Sequence, residues 1–153
     1  MKRLNFIYLS LVLIAGVSVG QAQPIAEVSD NTCTEWTAAN CSDATSQGCN
    51  STTFTLQSAQ TVRLYAYIAC ENGNDCPYCL SVAYIYRPTG GTYVACVHTL
   101  CDARCSSNYA DVALDRGDYI LYSCKIDCDE QDPCDNCPTT CTATARVFSM
   151  PEP

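Results

Sequence analysis

The sequence has few basic residues. Eight Lys and Arg stand against sixteen Asp and Glu in 153 residues, and two of the eight, Lys2 and Arg3, lie at the N-terminus. Without those two the net charge is about −10. Nucleic acids and anionic membranes bind to clustered Lys and Arg. The composition therefore argues against both as partners and predicts a soluble, acidic protein.

Catalytic signatures are equally scarce. His98 is the only histidine, and neither a G-x-S-x-G nor a P-loop pattern occurs. Hydrolase triads and most metal sites need a histidine with suitable partners. We therefore expect a protein that is not an enzyme, with no catalytic residues and no organic cofactor.

Long apolar runs are missing except at the N-terminus. There, Lys2 and Arg3 precede an apolar core at residues 5–19, and small residues follow as far as Ala22. The core is shorter than the ~20 residues of a spanning helix, so residues 1–22 are predicted to be a secretory signal peptide. A membrane anchor is the alternative. We expect a mature chain from about Gln23, without a membrane span, that is secreted or lies at the extracellular surface.

Cysteine is abundant, and all fourteen cysteines follow the predicted cleavage site. In a secreted chain an even number of cysteines at this density predicts a disulfide scaffold, here of seven bonds with unknown connectivity. The predicted half-cystines are Cys33, Cys41, Cys49, Cys70, Cys76, Cys79, Cys96, Cys101, Cys105, Cys124, Cys128, Cys134, Cys137 and Cys141.

Two C-x-x-C pairs, CPYC at 76–79 and CDNC at 134–137, allow two other interpretations. A zinc site could use both pairs, but an oxidising compartment favours disulfides over thiolate ligands. A redox site needs its first cysteine at a helix N-terminus. CPYC instead precedes LSVAYIYR, a β-branched and aromatic run, so both pairs are interpreted as structural.

Strand-like runs separated by turn residues begin at Thr52. They predict an all-β fold, an antiparallel β-sandwich of about seven strands at residues 51–153. Residues 23–50 are polar and are predicted to form an irregular arm that contains cysteines. The predicted strands cover residues 52–58, 61–69, 80–87, 92–98, 109–114, 118–126 and 142–149.

Alternate loops of such a sandwich lie at opposite ends. The loops near 70–79, 99–108 and 127–141 should therefore share one end, and ten of the cysteines lie in them or flank them. We expect a disulfide-rich cap at this end.

The strand and turn pattern resembles the bacterial pre-peptidase C-terminal domain, a small β-sandwich attached to secreted enzymes. The resemblance covers about 95 residues, through FTLQSAQTV, AYIYRPTGGTYVA, VALDRGDYILY and TATARVF. It implies a non-catalytic accessory, binding or packing module. The matching positions are Phe54, Gln60, Val62, Tyr86, Pro88, Gly90, Leu114, Gly117 and Tyr119.

Two groups of residues are candidate binding sites. Asp127, Asp129 and Asp132 are candidate calcium ligands because hard cations prefer carboxylate oxygens; a solvated acidic loop is the alternative. Tyr65 and Tyr67 share one face of their strand, and Tyr84 and Tyr86 share a face of the next. They are candidates for an aromatic platform that binds surface glycans or a second copy of the chain.

These features favour a secreted, non-enzymatic structural or adhesive protein, for example a surface or filament subunit. A carbohydrate-binding or accessory module is the alternative, and a secreted inhibitor or toxin is a third interpretation. Because a sheet edge can pair with a further strand, the polar arm is also a candidate for donation to a neighbouring subunit.

Overall fold

The computed structural model describes residues 23–34, 48–71, 79–100, 105–127 and 139–150. Within these ranges the secondary structure consists of strands, and none of the described residues forms a helix. The strands are β1 (Ala26–Asp30), β2 (Cys33–Thr34), β3 (Asn50–Leu56), β4 (Gln60–Cys70), β5 (Cys79–Arg87), β6 (Thr92–His98), β7 (Ser107–Leu114), β8 (Gly117–Asp127) and β9 (Cys141–Ser149).

Two antiparallel sheets pack against each other. The first sheet has the strand order β1-β9-β4-β7. The second has β3 paired with β8, followed by β5 and β6, and the two-residue β2 runs parallel to the end of β8. This order is that of a jelly roll, in which two Greek keys alternate between the sheets. The predicted disulfide-rich antiparallel β-sandwich is confirmed.

The core lies between the sheets because apolar residues alternate along the strands. In β4 the alternate residues Val62, Leu64, Ala66 and Ile68 are buried. They face the second sheet, where the ring of Phe54 stacks on that of Tyr119 with centroids 5.4 Å apart. Each large side chain buried in this way contributes roughly 1.5–3 kcal/mol to folding. The alternation therefore both fixes the strand register and supplies much of the stability.

The described part of the predicted arm differs from the expectation of an irregular segment. Residues 26–30 form β1, which pairs antiparallel with β9 from Ala26↔Val147 to Asp30↔Ala143. Ala26 and Asp30 are buried, so this strand belongs to the sandwich. The sequence AEVSD has too few large apolar residues to indicate a strand, and only its pairing with β9 makes it one. Residues 35–47 lie outside the described residues.

Described cysteines cluster at one end of the sandwich, and four of them, Cys70, Cys79, Cys105 and Cys141, are among the ten that the loop argument placed there. Cys70, Cys79 and Cys141 are buried together, and Cys33 and Cys105 pack against them. Cys70 is bonded to Cys141, which lies directly opposite in the β4–β9 register, and Cys49 is bonded to Cys124. All eight described cysteines are disulfide-bonded. The other six predicted half-cystines lie outside the described residues: Cys41, Cys76, Cys101, Cys128, Cys134 and Cys137.

A charged side chain lies inside this end of the sandwich. Lys125 is the only lysine after the predicted cleavage site, and it is fully buried. Its Nζ donates hydrogen bonds to the carbonyl oxygens of Asn31, at 2.7 Å, and Cys141, at 3.1 Å. Burial lowers the pKa of Lys125, and the nearby charge of Asp30, also buried, partly opposes that shift. Lys125 therefore links β8 to the β1–β2 turn and to β9.

Candidate functional site

The outer surface of the first sheet carries an aromatic and charged patch. Because alternate residues of a strand point to opposite sides, burial of Val62, Leu64 and Ala66 turns the residues between them outward. The patch is here called the tyrosine–arginine face. It consists of Glu27 on β1, Arg63, Tyr65 and Tyr67 on β4, Tyr109 and Asp111 on β7, and Arg146 and Phe148 on β9.

The strand register brings these side chains side by side. Tyr65 lies opposite Tyr109 on β7 and opposite Arg146 on β9. Arg63, two residues before Tyr65 on the same face of β4, lies opposite Asp111 on β7 and Phe148 on β9. Neighbouring positions on one face of a sheet are close enough for their side chains to interact.

One arginine of the face binds both a carboxylate and an aromatic ring. Arg63 donates two hydrogen bonds to Asp111, from Nε to Oδ1 at 2.7 Å and from Nη2 to Oδ2 at 2.8 Å. Its guanidinium carbon lies 4.1 Å from the centroid of the Tyr109 ring. The hydrogen bonds raise the pKa of Arg63 and lower that of Asp111. Both groups therefore remain charged over the physiological pH range.

A second arginine repeats this arrangement on the other side of β4. The Nε of Arg146 lies 3.0 Å from Oε2 of Glu27, and its Nη2 donates to Oε1 of the same carboxylate at 3.1 Å. Its guanidinium lies 5.0 Å from the Tyr67 ring centroid and donates to the Tyr67 hydroxyl at 3.3 Å. The hydrogen bond to Glu27 raises the pKa of Arg146. Both arginines of the face are thus held in place by a carboxylate.

The aromatic rings of the face are accessible. Tyr109 is 53% exposed, while Tyr65, Tyr67 and Phe148 are half-buried. The rings of Tyr65 and Tyr67 lie 5.9 Å apart and are tilted by 41°. Tyrosine and arginine offer large contact areas with polar ends, and both are enriched at protein–protein contacts. The face is therefore suited chemically to docking.

The other two candidate tyrosines lie on the opposite side of the molecule. Tyr84 and Tyr86 point outward from the second sheet, so the four tyrosines form no common platform. Tyr84 is fully buried; its ring stacks on Tyr122 at 4.8 Å and meets the edge of Tyr93 at 5.2 Å. Burial raises the pKa of Tyr84. Tyr93 is less deeply buried, and burial raises its pKa as well. A buried Tyr84 is placed for packing, and Tyr86 is half-buried beside Tyr93.

The calcium hypothesis rests largely on residues that are not described. Asp127 ends β8, whereas Asp129 and Asp132 lie outside the described residues. In the described ranges no group of three or more His, Cys, Asp or Glu side chains could hold a metal ion. Calcium binding at this end therefore stays a prediction.

Sequence reasoning missed the partners of Tyr65 and Tyr67. Alternation in SNYADVAL already places Tyr109 and Asp111 on one face of their strand, and RLYAY places Arg63 beside Tyr65. The missing information was which strands are neighbours, since β4 lies between β7 and β9. Only the jelly-roll order brings the three strands together.

Comparison with known proteins does not assign this chain to a family. No protein-family model and no curated protein matches this chain. The resemblance to the pre-peptidase C-terminal domain therefore stays a prediction. In the part of the chain that the structure describes, no helix is long and apolar enough to cross a membrane.

Proposed function

We propose that this chain is a secreted, non-enzymatic structural or adhesive protein that assembles at a surface or in a filament. The observation that carries the proposal is the tyrosine–arginine face. It is a sheet surface on which three tyrosines lie beside two arginines that are already oriented by carboxylates. Preorganised side chains lose little conformational freedom on binding, which favours affinity.

The charge of the face supports a protein partner. The chain as a whole is strongly acidic, and two copies would repel each other through most of their surfaces. On this face, however, Arg63 and Arg146 are each matched by a carboxylate. The face is therefore locally balanced, and a second copy could approach it without strong repulsion.

Disulfide bonding supports the extracellular setting. Every described cysteine is bonded, and the Cys49–Cys124 and Cys70–Cys141 bonds span 75 and 71 positions in sequence. Cross-links over such distances restrict the unfolded chain strongly. A durable, cross-linked sandwich suits a subunit that is exposed outside the cell.

A carbohydrate-binding module is the second candidate, because exposed rings such as that of Tyr109 can also stack on sugars. Two of the three tyrosine rings already carry a guanidinium over one face, Arg63 over Tyr109 and Arg146 over Tyr67. These contacts reduce the ring area open to a sugar. They favour docking of a protein over stacking of a glycan.

The test uses the purified mature protein with its disulfides intact. Sedimentation velocity and negative-stain microscopy over rising concentration should show assemblies larger than dimers. The double variant Tyr65→Ser, Tyr67→Ser should stop short of these assemblies. A matched control, Ser51→Ala with Thr53→Ala, changes exposed positions on β3 of the other sheet and should assemble normally.

Two results would count against the proposal. The protein could fail to exceed a dimer at any concentration, or the tyrosine variant could assemble as the wild type does. Binding of the wild type, but not of the tyrosine variant, to an insoluble polysaccharide would favour the carbohydrate-binding alternative.

A further inference from the structure

The outer edge of β7 is a second surface with chemistry of its own. β7 is the last strand of the first sheet and pairs with β4 in eight consecutive positions without a register shift, from Gln60↔Leu114 to Tyr67↔Ser107. Within the described residues no strand continues the sheet on the other side of β7. Its far edge therefore presents main-chain hydrogen-bonding groups.

One hydrogen bond shows which residues point to that edge. The main-chain N–H of Tyr109 donates to the side-chain Oδ1 of Asn108 at 2.9 Å, so it is directed away from β4. Main-chain groups of alternate residues point the same way in a strand. Asp111 and Ala113 therefore also direct their N–H and C=O groups to the outer edge.

The two halves of the edge differ. Asn108 satisfies the N–H of Tyr109, and its Nδ2 also donates to the carbonyl oxygen of His98 at 3.0 Å. This side chain thus covers the start of the edge and ties it to the end of β6. The remaining half, around Asp111 and Ala113, has no such cap in the described residues.

The uncapped half lacks the features that usually protect an edge. Natural edge strands carry Lys, Pro or a bulge that discourages pairing. The sequence of β7, SNYADVAL, contains no Lys or Pro, and its pairing with β4 shows no bulge. Its one charge, Asp111, is already bound by Arg63. The carboxylate of Asp111 therefore repels a second, acidic strand less than a free carboxylate would.

We propose that β7 pairs with β7 of a second copy of this chain, antiparallel about a two-fold axis. A register centred on Val112 sets Asp111 opposite Ala113 of the partner copy, so that two carboxylates do not face each other. A two-fold contact is self-complementary and closes on itself, which makes it the commonest form of homodimer. The donated arm considered from the sequence is a weaker candidate, because residues 26–30 already occupy a place in their own sheet.

The pairing extends the first sheet across two molecules. The tyrosine–arginine faces of both copies then lie on one continuous surface, since Tyr109 and Asp111 belong both to β7 and to the face. The edge and the bulk of the face nevertheless remain separate surfaces. The dimer does not depend on the proposed function and would stand if Tyr65 and Tyr67 bound nothing.

A single position separates edge pairing from folding. Ala113→Pro removes an N–H that points away from β4, so the β4–β7 ladder keeps its hydrogen bonds. Ala113→Thr is the matched control because it retains the N–H and favours a strand. We expect the wild type and Ala113→Thr to dimerise in sedimentation velocity. The dissociation constant of the Ala113→Pro dimer should be at least about tenfold higher, because paired main-chain hydrogen bonds are lost. Equal disulfide content and circular dichroism of the three proteins would show that they fold alike.

Amide hydrogen exchange on the wild type gives an independent reading. Dimerisation should slow exchange at Asp111 and Ala113 and leave Tyr109, whose N–H is already bonded, little changed.

A wild type that stays monomeric at about millimolar concentration, or a Pro variant that dimerises as well as the Thr variant, would overturn edge pairing. A Tyr65→Ser, Tyr67→Ser variant that stops at the dimer supports the edge and the face together. A wild type that itself stops at the dimer supports the edge but contradicts the face.

Discussion

Arg63 on β4 donates two short hydrogen bonds to Asp111 on β7, and the same guanidinium lies over the Tyr109 ring. A planar guanidinium can make both contacts at once, whereas an ammonium group cannot reproduce the paired hydrogen bonds. The relationship thus fixes the direction of two functional groups on the tyrosine–arginine face. It also neutralises the one charge on the β7 edge.

The first prediction concerns Arg63→Lys. The substitution keeps the charge but loses the two-pronged contact and the stacking, so we expect weaker assembly of the protein. The free energy of unfolding should change little, because exposed ion pairs contribute little to stability. Sedimentation velocity and urea unfolding measure the two effects. A loss of stability without any loss of assembly would mean that Arg63 acts only in folding.

The second prediction concerns the pH at which the Arg63–Asp111 contact breaks. The hydrogen bonds from Arg63 hold the pKa of Asp111 below its ordinary value of 3.8. A carboxyl group whose pKa is lower in the folded state stabilises that state above the unfolded pKa, and this stabilisation is lost as the pH falls through the folded pKa. The contact should therefore persist at pH 5 and break only when the pH falls below that ordinary value. An NMR titration of the Asp111 carboxyl should show a higher pKa in Arg63→Ala than in the wild type; equal values would contradict the contact in solution.

The third prediction concerns the buried Lys125. Lys125→Met removes the donor to the carbonyl oxygens of Asn31 and Cys141 and also removes a positive charge near the buried Asp30. Removing one member of a buried charge pair costs about 3–5 kcal/mol. Urea unfolding should show such a loss, and adding Asp30→Asn should restore part of it.

The pH dependence of the same pair provides a check. Because the pKa of Lys125 is lowered on folding, the unfolded chain binds more protons between the folded pKa and 10.5. The wild type should therefore gain stability relative to Lys125→Met as the pH rises through that window. A constant difference between the two proteins would show that Lys125 titrates alike in both states.

The fourth prediction concerns the cysteines. Mass spectrometry of the denatured mature protein should show the loss of fourteen hydrogens relative to the reduced chain, one for each cysteine. Replacing Cys70 and Cys141 together by Ser should lower the free energy of unfolding by about 2–4 kcal/mol, because the bond closes a long loop. Two or more persistent thiols in the wild type would contradict the fully bonded scaffold.

The sequence predicted the sandwich because the apolar alternation of β3 to β9 is local. TVRLYAYIA alone shows which side chains of β4 are buried, and it placed Tyr65 and Tyr67 correctly on one outer face. By contrast, β1 is invisible in AEVSD because its strand character comes from pairing with β9, more than a hundred residues away. The contacts of Arg63 with Asp111 and Tyr109 could not be predicted for the same reason, since cross-strand neighbours depend on the order of strands in the sheet.

Tyr84 shows the opposite limit of sequence reasoning. Its alternation with Ile85 correctly indicates an outward direction from β5, yet the ring is fully buried against Tyr122 and Tyr93. Strand periodicity specifies the side of a sheet but does not specify what covers that side. The pairs Tyr65–Tyr67 and Tyr84–Tyr86 could therefore be told apart only in three dimensions.

Hydroxyl-radical footprinting of the tyrosines tests most directly whether the tyrosine–arginine face is the contact surface. The mature protein is labelled when dilute and when assembled, and the oxidation of each ring is measured by mass spectrometry. Tyr65 and Tyr67 should become protected on assembly, while Tyr93, which is 39% exposed on the opposite sheet, should be labelled equally in both states. Protection of Tyr93 with unchanged labelling of Tyr65 and Tyr67 would contradict the account.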